Sequence, residues 1–152
     1  MRPIKTFAVL AVVAIAGSFT VNAADMQDTR ELIQLPPEIE SKMLINMRDH
    51  IGTLDDVISA VQEGAYDKAG MIAESRLGWS SLVRRGDQEV ASHWVAPMQR
   101  MADAMYRTAS DFVIVAQNAS VEDNKGGYKK MLGVLNGVTS ACRGCHEAFR
   151  VR

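Results

Sequence analysis

Residues 128–149 read YKKMLGVLNGVTSACRGCHEAF, and this stretch decides the fold. Apolar and small side chains recur in it at steps of three and four, which predicts one long helix with a single apolar stripe. Such a helix has to bury its stripe against other elements of the chain. The predicted stripe consists of Tyr128, Met131, Leu132, Leu135, Val138, Thr139, Cys142, Cys145, His146 and Phe149.

Three earlier segments show the same helical spacing. The first begins at the Pro36-Pro37-Glu38 sequence and stops at Gly64, the second covers 67–77 with Asp67 as its cap, and the third is opened by Pro97. A polar connection at 120–127 separates the third helix from the last. Residues 79–96 are apolar but poorly phased. Four amphipathic segments without alternating strand patterns predict an all-α fold, an antiparallel four-helix bundle.

The overall composition excludes several classes of protein. The chain has 152 residues, of which 47% are hydrophobic and 23% charged, and its formal net charge is −1. These values are typical of one globular domain and exclude a disordered chain. A strongly basic surface for nucleic acid is also excluded.

The first 23 residues resemble a secretory signal. Arg2 and Lys5 precede an apolar run at 7–15, and small residues follow up to Ala23. The alternative, a retained membrane anchor, would need about 20 apolar residues. We therefore expect cleavage after Ala23, a single domain over 24–152 in the periplasm, and no membrane span after cleavage. Residues 24–35 are polar and aperiodic, which predicts a mobile arm.

The motif with chemical meaning is C-x-x-C-H at residues 142–146. This spacing is the attachment signature of c-type haem: two thiols become thioethers, and the following imidazole binds the iron. On a helix, Cys142, Cys145 and His146 project from one face. A thioredoxin-like site would need a strand–helix context, a zinc site would need more ligands, and a simple disulfide would leave His146 unexplained. The motif predicts one covalent haem c per chain.

Residues 142–150, CRGCHEAFR, resemble the end of the class II c-type cytochromes, the cytochrome c-prime and cytochrome c556 group. Members of that family are four-helix bundles with C-x-x-C-H-x-x-[FY]-R near the end of the last helix. The resemblance implies a haem near the C-terminal helix, with the distal residue supplied by the first helix. It also implies a possible homodimer. Outside the motif the likeness is one of architecture.

The resemblance also gives a position for the distal iron ligand. In this family the distal residue lies about four and a half turns before the glycine that ends the first helix. Counting back from Gly64 at ~3.6 residues per turn leads to about position 48. Met47 is the nearest candidate, with Met43 and His50 as the alternatives. A methionine there implies six-coordinate iron, and a nonligating side chain implies five-coordinate iron.

Three functions are consistent with these residues. The favoured one is a periplasmic one-electron carrier that exchanges electrons with redox partner proteins and is not an enzyme. The alternative is a five-coordinate haem protein that binds or senses a diatomic gas such as nitric oxide. A small peroxidase ranks last, because His50 would be its only distal acid–base group.

Two further groups of residues have candidate roles. One contains methionines at helical spacing and a histidine, which could bind Cu(I) but are better explained as a buried stripe beside the haem. The other contains arginines that could contact the haem propionates, of which Arg150 is the first candidate. The first group is His93, Met98, Met101 and Met105, and the second adds Arg48, Arg143 and Arg152.

Overall fold

The computed structural model describes residues 28–84, 87–121 and 125–152, and within them the chain is mostly helical with almost no strand. The predicted all-α class is confirmed. The predicted signal segment, 1–23, lies outside the described residues. The elements are β1 (Glu31–Leu32), α1 (Pro37–Gln62), α2 (Tyr66–Arg76), α3 (Trp79–Arg84), α4 (Asp87–Ala91), α5 (Ala96–Val121), α6 (Lys125–Ala148) and β2 (Phe149–Arg150).

Helix α1 begins and ends where its sequence signals predict. Pro37 occupies the first turn, where its missing N–H costs nothing, and Glu38 and Glu40 lie at the positive end of the helix dipole. At the other end, Gly64 adopts φ +73°. Only glycine takes this conformation without strain, so Gly64 turns the chain toward α2.

Helix α2 starts without the predicted side-chain cap. Its N-cap is Ala65, which makes no capping hydrogen bond, so the assignment of Asp67 as cap is wrong. Asp67 instead lies in the first turn and accepts a hydrogen bond of 3.0 Å from Ser120 at the end of α5. The Asp67 carboxylate therefore interacts favourably with the positive end of the α2 dipole and also links α2 to α5.

The poorly phased residues 79–96 contain two short helices, α3 and α4. A partly buried polar cluster fixes the entry to α3: Ser110 donates to Glu74 at 2.6 Å, and the backbone N–H of Trp79 donates to Ser110 at 2.8 Å. Burial alone would raise the pKa of Glu74, but hydrogen bonds from Ser110 and Ser80 outweigh it and lower the pKa. A Cβ atom at Gly78 would collide with Glu74.

Helices α5 and α6 form the largest helix–helix contact. Most of the apolar stripe of α5 is buried, from Met98 through Phe112 to Ala116, whereas Met101 is only partly buried. In α6 the stripe is only partly correct, since Met131 is buried whereas Tyr128 and Leu132 are more than 40% exposed. The helix also begins at Lys125, earlier than predicted, and ends before Phe149.

The arm before α1 is ordered over its described part, so the prediction of a mobile arm is wrong for residues 28–35. β1 pairs in parallel with β2, with Glu31 opposite Phe149, and Ile33 donates a backbone hydrogen bond of 2.8 Å to Arg150. Ile33 is only 4% exposed. The favourable free energy of burying Ile33 against the end of α6 offsets the conformational entropy that is lost when the arm becomes ordered.

The helices pack in chain order around one open space. α2 packs against α1 and α5, and α5 packs against α2 and α6, while α1 and α6 make few direct contacts with each other. No helix in the described ranges combines the length and hydropathy needed to cross a bilayer.

Candidate cofactor site

A cavity of about 300 Å³ lies between α1, α5 and the C-terminal part of α6. Aliphatic and thioether side chains make up most of its wall, as in sites that hold a largely apolar ligand. α1 contributes Met43, Leu44, Met47, His50, Ile51 and Leu54, and α5 contributes Met98, Met101, Ala102, Met105 and Tyr106.

All three residues of the haem motif line this cavity: Cys142, Cys145 and His146. Both thiols are free and half-buried. Burial raises the pKa of Cys142, and burial together with the neighbouring Cys142 raises the pKa of Cys145. The thiols are therefore protonated at neutral pH. His146 lies in the last turn of α6, and its backbone carbonyl accepts a hydrogen bond of 3.3 Å from Arg30.

The three candidate distal ligands line the same cavity from α1. Met43 and His50 are 7% and 5% exposed, whereas Met47, between them, is half-buried. The His50 ring meets Tyr106 edge to face, with 6.4 Å between ring centroids. Sequence reasoning missed Tyr106, since a tyrosine within the apolar stripe of α5 gives no signal of its own.

The structure brings the predicted methionines of α5 together but leaves the predicted histidine apart from them. Met98, Met101 and Met105 line the cavity. His93 is exposed and lies outside the lining residues. The structure thus brings the three thioethers to the wall opposite α1 and leaves the imidazole elsewhere.

Cationic side chains line the edge of the cavity next to β2. Arg30, Arg150 and Arg152 are lining residues, and no described Asp or Glu is. Arg30 forms a forked pair with Asp28, at 2.9 Å from Nε to Oδ1 and 2.7 Å from Nη2 to Oδ2. The Arg30 hydrogen bonds lower the pKa of Asp28 to about 2. Arg150 Nε lies 3.6 Å from Asp28 Oδ2.

Two of the other predicted arginines, Arg48 and Arg143, lie away from the cavity. Arg48 is exposed on α1 and does not line it. Arg143 is 75% exposed and pairs with Glu147 at 3.6 Å. Arg152, which does line the cavity, lies 3.7 Å from Glu40. Arg150 and Arg152 are therefore the predicted arginines that reach the site.

Trp94 is a second cavity residue that sequence reasoning did not assign to the site. Its side chain is 9% exposed and lines the cavity. The buried indole Nε1 has no hydrogen-bond partner among the described residues. Buried N–H groups are nearly always satisfied in proteins, so this donor indicates a missing acceptor.

The residues present fit a covalently attached haem. Two thiols and an imidazole lie at one wall, thioethers lie at the others, and guanidinium groups lie at one edge. Comparisons of the chain with protein-family models, curated proteins and solved structures found no match. The interpretation of the site therefore rests on its own residues and geometry.

Proposed function

We propose that this protein is a monohaem c-type cytochrome that acts as a one-electron carrier. In this proposal α1, α2, α5 and α6 form an antiparallel four-helix bundle like that of the class II cytochromes, with the haem between α1 and α6. The observation that carries the proposal is the convergence of the motif residues and Met47 on one apolar cavity.

Each motif residue has a defined role in the proposed site. Cys142 and Cys145 hold the haem through thioether bonds, and His146 binds the iron from the proximal side. The haem supplies the one-electron chemistry, while the chain sets its ligation, burial and access. Because both cysteines lie on α6, one rigid helix fixes the macrocycle and the proximal ligand together.

Exposure to the cavity supports Met47 as the distal ligand. Met43 packs into the apolar cluster around Phe149 and Trp94, where it is almost fully covered by protein. Met47 lies at the edge of that cluster and keeps accessible surface. A side chain whose free surface faces the cavity can bind a metal there without repacking its neighbours. His50 is already packed against Tyr106.

A methionine ligand favours electron transfer over gas binding. If His146 and Met47 both held the iron, a small molecule would find no vacant position on it, and a thioether ligand would raise the reduction potential relative to two imidazole ligands. The proposal extends to export of the chain by residues 1–23, a periplasmic location and redox partner proteins. A homodimer is a further possibility that the family resemblance implies.

Mass spectrometry and electronic spectra of protein matured in a cytochrome c-producing host test the proposal. The expected mass is that of the polypeptide from Ala24 onward plus one haem, and the oxidised iron is expected to be low-spin. A mass equal to the bare polypeptide would contradict haem attachment. High-spin iron that binds carbon monoxide rapidly without any substitution would favour the gas-binding function.

A further inference from the structure

The edge of the cavity beside β2 carries an excess of positive charge. Arg30 and Arg150 share the single carboxylate of Asp28. Among the described residues, the carboxylate paired with Arg152 is that of Glu40, at 3.7 Å. Since the described residues place no carboxylate on the cavity wall itself, a ligand with negative groups at this edge would be attracted rather than repelled.

The arm holds Arg30 in place at this edge. Ile33, three residues later, is buried, and its backbone N–H is bonded to Arg150. Arg30 also donates to the carbonyl of His146, one of the last carbonyls of α6 that lack a partner within the helix. A guanidinium so fixed loses little conformational entropy when it binds an anion.

Two buried donors at the same edge lack acceptors. Arg150 Nε is buried and makes no hydrogen bond, and its nearest carboxylate oxygen lies beyond hydrogen-bonding distance at 3.6 Å. Trp94 Nε1 is likewise unsatisfied within the described residues. Trp94 belongs to the same apolar cluster as Phe149 and Val151, which flank Arg150 in the chain. Both donors thus lie at one end of the cavity.

We propose that Arg30, Arg150 and Trp94 bind the carboxylate side chains of the haem, so that the arm is part of the cofactor site. This inference rests on the proposed function. Carboxylates are the acceptors that guanidinium groups bind most strongly. Arg150 and Trp94 both line the cavity, so a cofactor bound there lies closer to these donors than the surface of a partner protein does. Before the haem binds, Asp28 orients Arg30.

The pH dependence of the reduction potential tests this binding. A carboxylate held by a guanidinium stays ionised between about pH 5 and pH 8, above the usual carboxyl range. Removing the guanidinium leaves the carboxyl group in a largely apolar cavity, which raises its pKa into this pH range. The carboxyl pKa is higher when the iron is reduced, because the iron then carries less positive charge. The potential then falls with rising pH. Arg30→Gln and Arg150→Gln should therefore add a pH-dependent slope that the wild-type protein lacks.

Matched variants separate this role from a structural one. Arg48→Gln, outside the cavity, should keep the wild-type profile, and Arg30→Lys, which keeps the charge, should keep most of it. Trp94→Phe removes only the indole N–H and should add a smaller slope in the same direction. It also serves as a test if Arg30→Gln fails to fold. Asp28 does not contribute to the slope, because the ordinary pKa of an aspartate, 3.8, already lies below the pH range of the measurement.

Two results would overturn the inference. One is a set of Arg30→Gln, Arg150→Gln and Trp94→Phe profiles that match wild type in folded, haem-loaded protein. The other is a slope of the same size in Arg48→Gln, which would indicate a general charge effect. If the wild-type protein carries no covalent haem, the proposed function itself has failed. A haem-loaded protein with unchanged profiles would reject only the role of the arm and its donors.

Discussion

Arg30 donates a hydrogen bond of 3.3 Å to the backbone carbonyl of His146, a residue 116 positions later in the chain. This bond ties the arm before α1 to the turn of α6 that carries the proposed proximal ligand. The position of that turn therefore depends on residues outside the helices as well as on the packing of α6 against α5.

Protonation of Asp28 should loosen the arm in acid. The pKa of Asp28 is lowered from 3.8 to about 2 by its hydrogen bonds with Arg30, so the folded arm favours the ionised form. The resulting stabilisation is fully present above pH 3.8 and is lost as the pH falls toward 2. Protection of the Ile33 amide against hydrogen exchange, corrected for the intrinsic rate at each pH, should fall over this range.

The variant Asp28→Asn provides the control for that measurement. It should show reduced Ile33 protection already at neutral pH, with little further loss between pH 3.8 and pH 2, where the wild-type protein loses its protection. If wild type and Asp28→Asn lose protection in parallel, another carboxylate governs the arm.

Gly78→Ala should destabilise the protein by more than the usual change at an exposed turn. A Cβ atom there would overlap Glu74, which accepts hydrogen bonds from Ser110 and Ser80. Displacing that carboxylate leaves these partly buried donors without their acceptor, at a cost of about 1 kcal/mol or more. Urea denaturation measures the change. Gly133→Ala is the matched control, because Gly133 lies in α6 with open space around it. It should stabilise by about 0.5–1 kcal/mol.

Substitutions on α1 should identify the distal ligand. Met47→Ala should abolish the weak near-infrared band of thioether-ligated ferric haem, lower the reduction potential and allow carbon monoxide to bind. His50→Ala should leave all three nearly unchanged. Should His50→Ala open the iron while Met47→Ala does not, the ligand assignment changes but the electron-transfer function stands.

As free thiols, Cys142 and Cys145 should react slowly in the folded protein. Burial raises the pKa of both Cys142 and Cys145, and only the thiolate is nucleophilic. In folded protein made without haem-attachment machinery, iodoacetamide at pH 8 should alkylate them several-fold more slowly than in urea. Equal rates in the two conditions would show that the thiols are not protected by the fold.

The sequence predicted the elements that have a strong apolar periodicity. It did not predict segments whose conformation depends on a few contacts between residues distant in the chain. The long helices are marked by apolar spacing and by signals such as Gly64. The arm is not, because its order depends on one buried side chain, Ile33, and two paired residues. The motif cysteines and histidine and the regularly spaced methionines of α1 and α5, all singled out from the sequence, are placed by the structure on the wall of one cavity. The roles of Arg30 and Trp94 depend on neighbours far away in the chain.

The pairing of β1 with β2 also determines how the cavity can open. It consists of two residue pairs and is supported by one buried side chain, Ile33, so little contact energy holds the arm in place. Segments of this kind open locally while the rest of a protein stays folded. Release of the arm would remove Arg30 from the cavity edge without separating any pair of helices. A planar macrocycle could then enter along the side of α6, and the last step of assembly would be the return of β1.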